Sequence, residues 1–228
     1  MKKRIQFKID GKVCETTEGT LLLKAAEENG VYIPRLCHVE GLTPRGACRV
    51  CTVKLGRQFN TACTMPVTKG MEINNHSEEL EDLRKSILEM MFAEGNHICP
   101  SCEKSGNCEL QALARMYGIT VPRYPFLFPD RDIEATHPKL LKDHNRCILC
   151  KRCIRLIKDE EGKRLFAFSK RGSRLSIKID THIAAKMSDE LAVQAVNCCP
   201  VGALLPRKGA FQCPIGKRVY DKSHIDSL

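Results

Sequence analysis

Residues 37–63 read CHVEGLTPRGACRVCTVKLGRQFNTAC, four cysteines with ten, two and eleven residues between them. A C-x2-C pair with further thiols on either side is a pattern for wrapping a metal ion or a small inorganic core, not for packing. The sequence around it supplies a frame. Ile5, Phe7 and Ile9 alternate with Gln6, Lys8 and Asp10, and Asp10-Gly11 predicts a two-residue hairpin turn. Thr20 reads as a helix N-cap, Leu21–Asn29 as a short helix and Gly30 as its left-handed stop.

A hairpin, a helix, a cysteine-bearing loop and strands around Val50–Val53 predict a β-grasp unit that ends near Asn75. In plant-type ferredoxins the cluster cysteines are spaced four, two and then far apart. Here the C-x2-C pair and the remote fourth ligand are kept and the first loop is enlarged, which predicts a [2Fe–2S] cluster on Cys37, Cys48, Cys51 and Cys63. Gly46 and Ala47, just before Cys48, are small enough for backbone N–H groups to approach sulfur. Four cysteines also suit tetrahedral zinc, but a zinc ribbon usually offers two C-x2-C pairs and this stretch has one.

Beyond Asn75, Ser77 caps a predicted helix with Glu78, Glu79 and Glu81 in its first turn and apolar residues at Leu80, Leu83, Ile87, Leu88 and Met91, ending at Gly95. Then follows NHICPSCEKSGNCELQ, with Cys99, Cys102 and Cys108 before a helix that runs to Tyr117 and stops at Gly118. Three thiolates leave one iron of a [4Fe–4S] cube without a ligand. Imidazole ligates iron, and no spare cysteine lies near, so His97 is the expected fourth ligand. Four prolines between Pro122 and Pro138 mark a linker or wrapping loop. The last part carries Cys147, Cys150 and Cys153, the C-x2-C-x2-C run of bacterial ferredoxins. The cysteine that would follow three residues later is replaced by Ile157, so one cube is expected, completed by a remote thiolate followed by proline. Cys199-Pro200 fits, at the end of a helix capped by Ser188; the adjacent Cys198 should pack. A basic hairpin is expected over Phe166–Ile179.

The expected fold class is therefore α+β: an N-terminal β-grasp [2Fe–2S] ferredoxin domain (1–76), a helical His/Cys-ligated [4Fe–4S] segment (77–120), and a linker plus C-terminal ferredoxin-like [4Fe–4S] domain (121–228). Three clusters need twelve ligands, supplied by eleven cysteines and His97. Of the fourteen cysteines this leaves Cys14, Cys198 and Cys213, each expected to be a small buried apolar residue.

Composition agrees. The N-terminus lacks the apolar core of a secretory signal and no run of about 18 apolar residues occurs, so a reducing, cytoplasmic setting is expected, where thiols bind metal instead of pairing. The formal charge of +10 counts cysteines as neutral; clusters of net charge about −2, −1 and −2 lower it to about +5. With no Trp and 5% aromatic residues, a nucleic-acid surface is not indicated. There is no G-x-G-x-x-G turn and no P-loop, and no catalytic residues are expected. A zinc-stabilised module with a basic surface for an acidic partner is the alternative from another class.

Taken in order, CHVEGLTPRGACRVC, FAEGNHICPSCEKSGNCELQALA, CILCKRCIR and CPVGAL resemble the N-terminal part of the large iron–sulfur subunit of respiratory NADH dehydrogenase and of [FeFe]-hydrogenases. They also resemble the diaphorase-side iron–sulfur subunit of soluble NAD(P)-linked bidirectional [NiFe]-hydrogenases, to which the length, HICPSC and the tail CPIGKRVYDKSHI correspond best. Several relatives place the histidine four residues before the first cysteine; that position is Gly95 here, and His97 stands two residues before. The resemblance implies a hetero-oligomer in which this chain relays electrons between a flavin-containing NAD(P)H-binding subunit and the hydrogenase small subunit or another catalytic subunit. A formate dehydrogenase or a respiratory NADH dehydrogenase-type complex is the alternative setting.

Overall fold

In the computed structural model, which describes residues 3–209 and 211–227, the chain turns at Asp10 and Gly11 with φ of 49° and 80°. The turn pairs β1 (Arg4–Ile9) antiparallel with β2 (Lys12–Thr17). Helix α1 (Leu22–Glu28) follows, and Gly30, at φ 65°, ends it. A long irregular segment carrying Cys37, Cys48 and Cys51 leads to β3 (Thr52–Leu55), β4 (Gln58–Thr61) and β5 (Glu72–Asn74). The sheet order is β2-β1-β5-β3-β4, with β1 parallel to β5 and the other pairs antiparallel. Leu22, Leu23, Ala25 and Ala26 of α1 bury against Ile5, Phe7, Ile9, Val53 and Ile73, which forms the first of two cores.

Two local expectations are corrected here. Thr20 is not the N-cap: Leu21 is, with no side-chain cap, because the Thr20 carbonyl accepts from the Val67 amide at 2.8 Å and Leu21 bridges to Pro66. The third strand begins at Thr52, not Val50, because the preceding turn is bent by Arg49 in the left-handed region (φ 62°).

Helix α2 (Glu78–Glu94) is capped by Ser77, whose Oγ accepts from the Leu80 amide at 3.3 Å, and α3 (Glu109–Met116) ends before Gly118 at φ 61°. The proline-rich stretch wraps α2: Arg123 bonds Glu89 and Asp82, each at 2.7 Å, and the Leu127 amide donates to Ala93 O at 3.0 Å. The stretch is not linker throughout. Its residues Ile133–Glu134 form β6, because they pair with β7 (Leu140–Asp143), and β10 (Leu204–Pro206) completes a three-stranded sheet. Short helices α4 (Arg152–Leu156) and α5 (Thr181–Ala184), the hairpin β8 (Phe166–Ser169) and β9 (Ser176–Ile179), α6 (Asp189–Cys198, capped by Ser188) and α7 (Val219–Lys222) fill the remainder. The second core spans α2, α3, α4 and α6, and it includes Leu36 and Val50, which flank Cys37 and Cys51. Among the described residues no helix is long and apolar enough to cross a membrane.

Arg84, on α2, joins the first sheet to the helices and is fully buried. It donates to Thr52 O (2.7 Å), Asn75 O (2.9 Å) and Asn75 Oδ1 (2.7 Å). Charge-assisted bonds to buried carbonyls cost their full desolvation when one partner is removed. Arg84→Met is expected to lower stability by roughly 3 kcal/mol, seen as a lower denaturant midpoint; an unchanged midpoint would show that the clamp is dispensable.

Candidate metal centres

The first cysteine set converges. Cys48 N donates to Cys37 Sγ at 3.5 Å, and the four thiols fall into two mutually interacting pairs, Cys37 with Cys48 and Cys51 with Cys63. Sharing a proton within a pair lowers the pKa of Cys37 and Cys63 and, with burial, raises those of Cys48 and Cys51. Backbone amides of Ala47 and Cys48 point at Cys37, and that of Gly46 at Cys63. Gly46 has φ 59°, and a Cβ there would stand 3.3 Å from Thr61 Oγ1, so the approach depends on glycine. Two pairs of two suit a core with two irons. Among the described residues no group of three or more His, Cys, Asp or Glu side chains is arranged to hold a single metal ion.

In the second set, Cys99 opens a single 3-10 turn and Cys108 caps α3, its Sγ accepting from the Gln111 amide at 3.4 Å. Burial pushes the Cys108 thiol up to about 12. Cys102 Sγ accepts from Arg146 Nη1 at 3.6 Å. His97 packs edge-on to Phe92. Burial, aided by the Arg146 charge, lowers its pKa to about 4, so the ring is neutral, as a ligand must be. Its Nε2 is buried without a hydrogen-bond partner. A Cβ on Gly95 would fall 2.3 Å from that nitrogen. The imidazole thus occupies the space a side chain at position 95 would take.

The third set closes around a small cavity lined by Cys147, Cys150, Cys153 and Cys199. Leu149 and Lys151, between these cysteines, hold φ of 53° and 66°, a strained backbone for residues with side chains. Burial raises the pKa of Cys150, Cys153 and Cys199, so loading a metal core here is coupled to proton release. Cys198 does not line this cavity. Its thiol donates to Ala195 O at 3.2 Å within α6. Cys14 and Cys198 are buried as expected, but Cys213 is exposed, because it lies in the irregular stretch after β10 instead of under an element.

The three sets are neighbours. Cys48 and Cys147 line one groove. Arg146, next to Cys147, reaches Cys102, and a Cβ on Gly202 would stand 2.5 Å from Cys102 Sγ. His97 of the second set lines the same groove as Cys48 and Cys147. Arg152 and Glu109 form a bidentate pair at 2.6 and 2.7 Å where the sets meet: Arg152 precedes Cys153 and its charge lowers the Cys37 pKa, and Glu109 follows Cys108. Sequence reasoning missed these charged residues, since nothing in their spacing sets them apart from surface charges. Glu109→Gln would leave a buried guanidinium under-compensated and is expected to destabilise the protein by roughly 3 kcal/mol; unchanged thermal unfolding would contradict this.

The three cysteine sets fall one in each of three regions that match known families. Residues 2–78 match the family described as a 2Fe-2S iron-sulfur cluster binding domain. Residues 84–123 match the NADH-ubiquinone oxidoreductase-G iron-sulfur binding region, and 137–205 the ferredoxin-like domain of NADH-quinone oxidoreductase subunit 3. The chain is 44% identical over 218 residues to the gamma subunit of the NAD-reducing hydrogenase HoxS of Cupriavidus necator, covering 95% of this chain and 93% of that one. It is 32% identical to the mitochondrial 78 kDa subunit of NADH-ubiquinone oxidoreductase of Candida albicans, over 91% of this chain and 29% of the relative. It is also 32% identical to the alpha subunit of the NADPH-Fe(3+) oxidoreductase of Geobacter sulfurreducens, over 91% and 25%. A chain in the crystal structure of an NAD+-reducing [NiFe]-hydrogenase in the H2-reduced state superposes with a TM-score of 0.88 at 37% identity, covering 98% of this chain and 96% of that one.

Proposed function

This chain belongs to the family of gamma subunits of NAD-reducing hydrogenases, and from that footing we propose that it is the electron-transfer subunit of such a complex. It would join a flavin-containing NAD(P)H-binding subunit to a hydrogenase subunit, within a cytoplasmic hetero-oligomer. The likeness extends over 93% and 96% of the two hydrogenase chains but only 29% and 25% of the respiratory and iron-reducing relatives, which favours the hydrogenase setting.

The cofactors proposed are one [2Fe–2S] cluster on Cys37, Cys48, Cys51 and Cys63, in a unit read as a β-grasp domain, and two [4Fe–4S] clusters. One would be held by His97, Cys99, Cys102 and Cys108, the other by Cys147, Cys150, Cys153 and Cys199. When bound, such clusters supply one-electron exchange at potentials set by ligand type, hydrogen bonds and burial. The residues' own part is to present a neutral imidazole and thiols that give up their protons as the cluster binds, to aim amides at sulfur, and to keep water out of the third pocket. The observation that carries this reading is the contiguity of the three sets: residues far apart in sequence form one tract from Cys48 to Cys147 to Cys102. The vacated side-chain space at Gly95, filled by an unpartnered imidazole, supports His97.

In the complex isolated anaerobically, either NADH or H2 alone is expected to reduce this chain's clusters and bring up their paramagnetic signals, and silence with both would contradict the proposal. Cys199→Ser is expected to lose about four irons of about ten and Cys198→Ser none; the reverse would exchange their roles. His97→Ala should alter or abolish one cube's spectrum, and an unaltered spectrum would reject His97.

A further inference from the structure

Lys142 lies on β7 and is only 1% exposed. Lysine is almost never fully buried unless it is paired, because removing its charge from water costs several kcal/mol. Among the described residues, the lysines in ion pairs are Lys8, Lys54, Lys139, Lys163 and Lys178, not Lys142. The carboxylate directly across the strand pair is Glu134, but it is turned elsewhere: it accepts from the Ile179 amide at 3.4 Å and faces His144 Nε2 at 3.5 Å. Lys142 instead lines the cavity closed by Cys147, Cys150, Cys153 and Cys199. Of the other cations near this set, Arg152 has Glu109, Arg146 has Asp143 at 3.0 Å, and Lys151 lies over the Phe168 ring.

We propose that Lys142 is the counter-charge of the cluster held by Cys147, Cys150, Cys153 and Cys199, and that it keeps that cluster's midpoint potential above the value four thiolates in a buried pocket would set. The inference rests on the ligand assignment above. A four-thiolate cube is about −2 oxidised and about −3 after taking one electron. A fixed neighbouring cation stabilises the more negative state more, since the Coulomb energy scales with the charge it faces. Reduction is thereby made easier. The same attraction accounts for the burial of Lys142 without a carboxylate, as the partner is the cluster itself.

The test is a redox titration of the assembled complex, followed by electron paramagnetic resonance, with iron and sulfide counted on each sample. Lys142→Met is expected to move the midpoint of this one cube to a more negative potential and leave the other two clusters unmoved, while Lys142→Arg stays near the unsubstituted value. Loss of the cube in Lys142→Met but not in Lys142→Arg would equally support a counter-charge, needed then for assembly. A Lys142→Met protein with its full iron complement and an unmoved midpoint would overturn the proposal. So would equal shifts, or equal cluster loss, in both variants, since that would be a packing effect. Failure of the ligand assignment would look different: the cube would be absent from the unsubstituted chain.

Discussion

Four thiols brought together in a buried pocket can ligate only as thiolates, and buried thiolates repel one another and lose their hydration. Everything else in this molecule answers that constraint. Burial alone drives Cys150, Cys153 and Cys199 toward the neutral thiol, so the ligating state requires positive charge at the centre of each set and donors around it. The backbone supplies some of this: amides at 46–48 are aimed at Cys37 and Cys63. The loops reach these positions through residues in sparsely populated conformations, Arg49 in the first set and Leu149 and Lys151 in the third. Such strain, of order 1–3 kcal/mol per residue, persists only where the surroundings hold it.

The surroundings are two cores and a set of buried cations. The first core fixes the sheet that presents Cys51 and Cys63, and the second packs Leu36 and Val50 against the helices that present Cys108, Cys153 and Cys199. Arg84 clamps Thr52 and Asn75 to α2 through carbonyl oxygens and also reaches Tyr117 OH at 3.4 Å, with no carboxylate among these partners. Arg152 with Glu109, and Arg146 with Asp143, stand where the sets meet. The Arg152–Glu109 pair bridges segments that carry ligands of different sets, Glu109 beside Cys108 and Arg152 beside Cys153.

Much of the frame was legible in sequence, because it depends on local rules. Asp10-Gly11 forms the expected turn, Ser77 and Ser188 cap their helices, and Gly30 and Gly118 stop theirs. What was not legible depends on contacts remote in sequence. Thr20 is drawn into a bridge with residues 66–67, and Ile133–Glu134 become a strand only because β7 lies beside them. For the site, the thiols of the C-x2-C-x2-C run line one cavity, and Cys199 rather than Cys198 lines it with them. The buried cations had a weaker signal. Arg84 shares a four-residue spacing with Leu80 and Leu88, and all three are buried, but an arginine between Leu83 and Lys85 on a charged helix reads as surface. Lys142 alternates with Leu141 in a four-residue strand too short for its pattern to be read.

The central claim is that three cysteine sets hold iron–sulfur cores and not single ions. It is tested most directly by counting iron, acid-labile sulfide and zinc in the chain isolated without oxygen. The account predicts about ten irons and about ten sulfides per chain, resolved spectroscopically as one two-iron and two four-iron centres. Stoichiometric zinc without sulfide would contradict it.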